Sequence, residues 1–358
     1  MSEAPPRIKG LKSNRRLLLL VPSFHNYENR IVEAAESLGY ECLRLDERIG
    51  NGAFEKILTR IGLVQKIKPL MKRYFANLVK AAREFDPDVV LVVNAETLDE
   101  ALVRRFRASL PSARFLIYMW DSSSKKKISR EMYAQFDRAF SFDPEDCERI
   151  DMLHHIPLFH LNSEIDWDME QEGQDFDYEC TFIGTARIRR MIILARAARQ
   201  LVADGKRFYF YLYTPSLAHY MVYLALKALT GFRGIVSRES VPYEAYQAII
   251  ARSASCIDIE QSNQKGLTIR TLEVVFSGRP LITTNSWVSE YDFYNEFPVS
   301  VFDAKGELQV RRQRPTLESR KLFKKYSLHQ WLSNILDERE DNYFIKRGGK
   351  SISNRNTL

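Results

Sequence analysis

The chain has 358 residues, 45% of them hydrophobic, which is enough for two domains with a full core in each and excludes a disordered composition. The net charge of +7 suits anionic ligands such as nucleotides, or an anionic membrane surface. No zinc spacing and no RNP-like aromatic pattern accompanies that charge, so no nucleic-acid partner is expected. Cys42, Cys147, Cys180 and Cys256 lie far apart and fit no metal or redox spacing. Three of them stand in or beside apolar runs, as small core residues would in a reducing cytoplasm.

Taken in order, the first half alternates strand and helix signals. "RRLLLLVPSF" has the basic start of a signal peptide, but its apolar run is short and lacks a small-residue cleavage site. It reads instead as a buried first strand over Leu17–Phe24. "NRIVEAAESLG" has helical spacing and a glycine stop, and "YECLRLD" is a second strand. A long basic amphipathic region covers about Phe54 to Phe85, with a break expected before Pro69. "DVVLVVN" is a third strand, "TLDEALVRRFRASL" a capped helix, "RFLIYMWD" and "RAFSFD" two more strands, and "IPLFH" a sixth. Apolar strands separated by helices predict a parallel sheet covered on both faces.

Residues 162–177, "NSEIDWDMEQEGQDFD", are acidic and without periodicity, as a linker would be. The second half then repeats the pattern. Strands are expected in "YECTFIGT", "RFYFYLYT", "CIDIE", "RPLITTN" and "PVSVFD". Helices are expected in "ARIRRMIILARAARQL", Leu217–Leu229, "YEAYQAIIARSA", the segment after Thr268, "LESRKLFKKY" and "LHQWLSNIL". After Glu338 the pattern is lost and a frayed tail is expected. The expected fold class is α/β, with two Rossmann-like domains facing a cleft. The domains would be residues 1–161 and 178–338, the last helices being free to pack back on the first domain. Leu217–Leu229 is far below the ~20 residues a membrane span needs. The expected location is cytoplasmic, soluble or peripheral at the inner face of the membrane.

Several familiar chemistries are missing. No G-x-G-x-x-G follows a strand, "GGKS" at Gly348–Ser351 lacks the upstream glycine of a phosphate loop, and no G-x-S-x-G elbow occurs. What remains is "QSNQKGLTIRTLEVVFSGRPLITTN", Gln261–Asn285. A helix starting near Thr268 puts Ile269, Leu272, Val275 and Phe276 on a core face and Arg270, Glu273 and Ser277 on another. Its first amides favour an anion, Gly266 would let backbone approach one, Arg270 could pair with a phosphate, and Glu273 could accept from a ribose diol one turn on. The competing reading is a helical surface salt bridge between Arg270 and Glu273.

The pattern Q-x-x-Q-K-G-L-T-x-R-T-x-E, then G-R-P-L-I-T-T-N and Y-D-F-Y-N, resembles the carboxyl-terminal donor half of GT-B bacterial glycosyltransferases. More narrowly it is similar to CgeB-like and capsular or lipopolysaccharide biosynthesis glycosyltransferases. "YMWDS", "FSFDPED", "IPLFH" and "FIGTA" agree, so the resemblance runs from about Leu17 to Trp331. It implies an acceptor domain followed by a nucleotide-sugar donor domain. On this resemblance Glu273 would bind the ribose, Gly184 and Thr185 would face the diphosphate, and Thr268 and Arg270 would flank the phosphates. Gln264, Gly266 and Asn285 would complete the donor site, with Val241 or Pro242 beside the base. The E-x(7)-E pair of retaining enzymes is absent, because Leu281 stands eight residues after Glu273 and Thr268 eight after Glu260. The stereochemistry therefore stays open.

An inverting transfer needs a base for the acceptor hydroxyl. Asp121, at a strand's carboxyl end in "WDSS", is the first candidate and His25 the second. Asn94, Glu96 and Asp143 also end strands. Asp121 would otherwise cap a following helix, and Asp143 would cap "PEDCERI". No metal is expected: "DWD" at Asp166–Asp168 sits in the linker and "DIE" at Asp258–Glu260 follows a single apolar run. The expected partners are a nucleotide-sugar donor and a glycan or lipid-linked acceptor. An anionic membrane surface would meet the basic region of Arg60, Lys66, Lys68, Lys72 and Arg73; Arg311, Arg312 and Arg314 form a second basic cluster. Alternatives to a transferase are a non-catalytic nucleotide- or sugar-binding protein and a nucleotide-sugar epimerase-like enzyme.

Overall fold

A computed structural model of the chain describes residues 15–23, 26–48, 64–125, 128–164, 175–261, 264–303, 308–313, 316–337, 341 and 343–344, with residues 64–70 described by backbone alone. Two six-stranded parallel sheets follow one another along the chain. The first is built from β1 (Arg15–Leu20), β2 (Tyr40–Leu45), β3 (Val89–Val93), β4 (Arg114–Met119), β5 (Arg138–Ser141) and β6 (Leu153–His155), in the order β2-β1-β3-β4-β5-β6. The second contains β7 (Cys180–Thr185), β8 (Phe208–Tyr213), β9 (Ile235–Ser237), β10 (Cys256–Asp258), β11 (Leu281–Thr283) and β12 (Val299–Val301), in the order β12-β11-β10-β7-β8-β9.

The continuous apolar runs are strands because both of their faces are covered. In β1, Leu17 and Leu19 join one hydrophobic cluster while Leu18 and Leu20 join another. That is the two-residue period of a strand read across its two faces. The Leu18 face is packed by α2 (Val64–Phe85), α3 (Glu100–Ser109) and the short α4 (Arg130–Tyr133) through Leu78, Leu102, Phe106 and Met132. The Leu17 cluster takes in one face of each sheet: Leu19 and Tyr118 from the first, Ile183, Cys256 and Leu281 from the second. Between them stand α1 (Tyr27–Ser37), α8 (Tyr243–Ala251), α9 (Ile269–Phe276), α10 (Leu317–Lys325) and α11 (Leu328–Leu336). The outer face of the second sheet is covered by α6 (Ile188–Ala203) and α7 (Leu217–Thr230).

The chain's last helix crosses to the first sheet. Trp331 of α11 meets Tyr118 edge-on at 4.8 Å between ring centroids, and Phe159 at the same separation. Such aromatic pairs add to ordinary area burial. His160 pairs as an isolated bridge with Ser327, and its ring nitrogen meets the Phe323 carbonyl at 2.8 Å.

Three expectations are corrected. "IPLFH" is a buried crossing segment, not a strand; the sixth strand is the preceding Leu153–His155, after which Pro157 supplies no N–H for a ladder. Helix α2 runs through Pro69 at the cost of an intrahelical bond, since proline has no N–H to donate to the carbonyl four residues earlier. The tail does not fray at Asp341, Tyr343 and Phe344: Tyr343 is buried, its hydroxyl accepts from Asn334 at 2.8 Å, and Phe344 bridges to Tyr291.

Candidate functional site

In open parallel sheets, ligands bind beyond the carboxyl ends of the strands where the strand order reverses. In the second sheet that reversal falls between β7 and β10. β7 ends on Gly184 and Thr185, β10 ends on Asp258, and α9 starts just beyond. Thr268 caps α9 by accepting from the Thr271 amide at 3.1 Å, and the Thr271 hydroxyl donates to Asp258 at 2.7 Å. The helix start is thereby pinned to the strand end.

Arg270 is set by this pin. Its guanidinium lies 3.7 Å from the Asp258 carboxylate and 5.7 Å from the centre of the Phe182 ring. A Cβ at Gly184 would come within 3.1 Å of the Arg270 Nη1 and 3.0 Å of the Phe182 ring, so glycine there makes room for the guanidinium. A second cation lies beneath. Arg190 of α6 is buried and donates to the Ile259 carbonyl at 3.0 and 2.8 Å and to the Thr185 carbonyl at 3.1 Å. It ties the ends of β7 and β10 together. Burial, and then the neighbouring Arg270 charge, lower its pKa to about 10.

Glu273 stands one turn further along α9 and is only 4% exposed. Its Oε1 has no hydrogen-bond partner in the protein, and the Tyr243 side chain lies beside the carboxylate. Burial pushes its pKa up to about 7, against the opposing effects of Tyr243 and of the Arg270 charge. The charge of Glu273 also helps to raise the pKa of Tyr27, on α1, and of Tyr246. Asn162 donates to the Glu273 carbonyl at 2.7 Å. An exposed salt bridge between Arg270 and Glu273 is therefore not what this helix carries. One member is buried among tyrosines, and the other pairs with Asp258.

Where the two sheets meet, Asp143 at the end of β5 caps α5 (Pro144–Arg149) by accepting from Glu145 at 3.1 Å, and also accepts from the Lys265 amide at 3.2 Å. Burial raises its pKa to about 6, with Asp146 adding to the rise against the hydrogen bonds from Lys265, Glu145 and Gly266. The neighbouring Gly266 lies against the first sheet: a Cβ there would stand 2.6 Å from both the Phe142 ring and the Phe142 carbonyl. Its close approach is thus to protein backbone. Asn285 donates to the Lys265 carbonyl at 3.0 Å and accepts from Trp287, and Gln264 is buried in the same loop. Thr185 is exposed, with its carbonyl held by Arg190.

On the first domain, Asp121 caps no helix; a turn follows it. It accepts from Asn94 at 3.1 Å and pairs with Lys125 at 3.0 Å. Asn94 itself has a positive φ of 59° at the end of β3, and its amide donates to the Tyr118 carbonyl at 2.8 Å. Glu96 lies 3.8 Å from Arg48. His25 and the Asp166–Asp168 triplet fall outside the described residues, as do Arg60 and Arg314 and the side chains of Lys66 and Lys68. Among the described residues no cluster of three His, Cys, Asp or Glu could hold a metal, and no helix is long and apolar enough to cross a membrane.

The sequence pattern did not single out Tyr243 or Arg190, and it weighed Asp258 only as part of a metal-binding triplet, not as the partner of Thr271 and Arg270. Of the two residues named for the base, Pro242 is the N-cap of α8 and Val241 is partly buried in the core. Tyr243, the next residue, is the one beside Glu273. The Pro-Tyr pair opening that helix was the available signal.

By sequence alone the chain matches no family model and no curated relative. By structure it is similar to the apo form of the lipopolysaccharide outer core galactosyltransferase WaaB, at 13% identity and a TM-score of 0.50, over 90% of this chain and 99% of that one. It is similar to a glycosyltransferase from Rickettsia africae ESF-5 at 12% identity and 0.54, over 92% and 98%. It is also similar to apo OtsA at 9% identity and 0.56, over 92% and 99%. Two reversing parallel sheets meet at their carboxyl ends, and the match spans both. The chain has the GT-B fold. At these identities the likeness concerns architecture, and within a GT-B architecture the Arg270–Glu273 helix belongs to the second domain and Asp121 to the first.

Proposed function

We propose that this GT-B chain is a glycosyltransferase that moves a sugar from a nucleotide-sugar donor to a surface-glycan, lipid-linked or similar acceptor, in the manner of the CgeB-like and capsular or lipopolysaccharide enzymes. Residues 178–338 form the donor domain and residues 1–161 the acceptor domain. The observation that carries this reading is Glu273: a buried carboxylate, one oxygen without a protein partner, one turn past a helix start that presents Arg270. An unpartnered buried acceptor is costly unless a ligand supplies the donor. A ribose diol supplies two. The diphosphate then falls at the helix start, where first-turn amides and the Arg270 guanidinium oppose its charge.

In an inverting transfer the Asp121 carboxylate takes the proton of the acceptor hydroxyl. The acceptor oxygen bonds to the anomeric carbon. The bond from that carbon to the diphosphate oxygen breaks, and the nucleoside diphosphate leaves with the electron pair. Arg270 and Thr185 stand on the donor side of this step, with Gln264, Gly266 and Asn285 holding the loop that carries α9. The same site in a binding protein would hold a nucleotide with no turnover. A thermal-shift screen of nucleoside diphosphates and their sugars, repeated on Glu273→Ala, tests the reading. Stabilisation by one nucleotide class that disappears in the variant is the expected result. A wild-type protein that no nucleotide sugar stabilises would overturn it.

A further inference from the structure

The outer face of α7 is apolar and uncovered. No residue of Leu217–Thr230 is fully buried. Its inner side, with Tyr220, Tyr223 and Leu226, packs on the core of the second sheet. Its outer side presents Leu217, Met221, Val222, Leu224 and Leu229, exposed by between 36% and 82%. Among the described residues, nine of the eleven large hydrophobic side chains left exposed belong to α6, α7 and β9. Such a concentration marks an interaction surface, since scattered exposed residues would not collect on two neighbouring helices and one edge strand.

Charge indicates what covers it. Between Ala186 and Arg238 the chain carries ten lysines and arginines and a single acid, Asp204. Exposed Arg187 and Arg199 belong to α6 and its cap, and exposed Arg233 and Arg238 flank β9 after α7. A second copy of this surface would bring like charges together. An apolar helical face bordered by cations and by tyrosines suits an anionic bilayer surface, where apolar side chains enter the acyl boundary and arginines meet phosphates.

We propose that α7 docks the protein on an anionic lipid bilayer, through Leu217, Met221, Val222 and Leu229 with the arginines around them. The surface adjoins the candidate site: the Tyr223 hydroxyl donates to the Ala186 carbonyl at 3.1 Å, one residue beyond Thr185. A docked α7 would hold the Gly184–Thr185 end of β7 near the lipid headgroups. It also differs from the basic first-domain region as a membrane contact, because α7 belongs to the second sheet.

The test is co-flotation of the full chain with vesicles of phosphatidylglycerol and phosphatidylcholine, or of phosphatidylcholine alone. The expected result is binding to the anionic vesicles and at least about ten-fold less to the neutral ones. Met221→Glu with Leu229→Glu should lower anionic binding by about ten-fold or more while leaving the thermal midpoint unchanged, both positions being exposed. Arg199→Glu with Arg233→Glu should lower it as well, through charge alone. Unchanged binding of the α7 variant to anionic vesicles would overturn the proposal. So would loss of binding confined to Lys72→Glu with Arg73→Glu on α2, or a dimer in solution that Met221→Glu dissociates with no vesicle binding by the wild type.

Discussion

The Lys265 amide donates to the Asp143 carboxylate at 3.2 Å, joining the loop before α9 to the end of β5 in the other sheet. The loop that positions Arg270 and Glu273 is therefore anchored on the first sheet. Asp143 is buried and its pKa is raised to about 6, where an aspartate ordinarily titrates near ~3.9. The folded chain thus holds this proton more tightly than the unfolded chain does. Its contribution to stability is complete below about pH 4, falls as pH rises towards 6 and is lost above it, by at most about 3 kcal/mol. Asp143→Asn keeps a cap and an acceptor without the charge. Urea unfolding from pH 4 to 7 should show the variant gaining stability relative to wild type as pH rises. A difference independent of pH would count against this assignment.

Glu273 titrates near 7 for the same cause, burial, and its ionised form is the better acceptor for a diol. Donor affinity should therefore strengthen between pH 6 and 8 in the wild type and stay flat in Glu273→Gln. Glu273→Ala should weaken nucleotide binding by more than about ten-fold, equivalent to ~1.4 kcal/mol. Titration calorimetry at the two pH values reads both effects.

Asp121 separates chemistry from binding. Its partners are Asn94 and Lys125 of the first domain. Asp121→Asn should lower kcat by roughly 10²–10⁴, the usual worth of a positioned base, and leave the donor Kd within about two-fold. A variant with unchanged turnover assigns the base elsewhere, with His25 the next residue to replace.

Arg190 gives a prediction that sequence inspection did not suggest. Its guanidinium is shared between the carbonyls of Thr185 and Ile259. Arg190→Met leaves the carbonyl of the fully buried Ile259 without this donor, at about 1–3 kcal/mol for such a group, and releases the Thr185 carbonyl at the exposed end of β7. It also frees the β7 end that faces Arg270. Chemical denaturation should show the loss of stability and calorimetry a weaker nucleotide affinity, with Arg190→Lys intermediate in both, since an ammonium cannot reproduce the forked donor geometry.

These residues also show what a sequence can disclose. β1, β3 and β4 were legible because strands buried on both faces read as unbroken apolar runs, and α9's core residues Leu272, Val275 and Phe276 followed from helical period. β9 was not, because Ile235 and Val236 are its only apolar residues and they are adjacent, giving neither a run nor an alternation. "IPLFH" was assigned to the sheet because a buried crossing segment has a strand's composition. Glu273 fell on the polar side of α9 by period, yet that helix is buried on nearly every side, and neighbours distant in sequence, Tyr27 and Tyr243, decide the environment of its carboxylate. Likewise Asp143's role as a cap was readable locally, whereas its bond to Lys265, 122 residues away, was not.

Gly266 offers the sharpest check on how the two domains meet. A Cβ at this position would lie 2.6 Å from both the Phe142 ring and the Phe142 carbonyl oxygen. Gly266→Ala should therefore push the α9 loop off the first sheet, costing about 1–3 kcal/mol as an overpacked contact does. The ring can be trimmed but the carbonyl cannot. Combining Gly266→Ala with Phe142→Leu should recover part of the lost stability and no more, because the backbone clash persists. The same shift should carry Arg270 and Glu273 with it, so nucleotide affinity should fall together with stability. Full recovery of both in the double variant would show that the ring alone sets the contact, and loss of stability with unchanged affinity would show that α9 is positioned independently of the first domain.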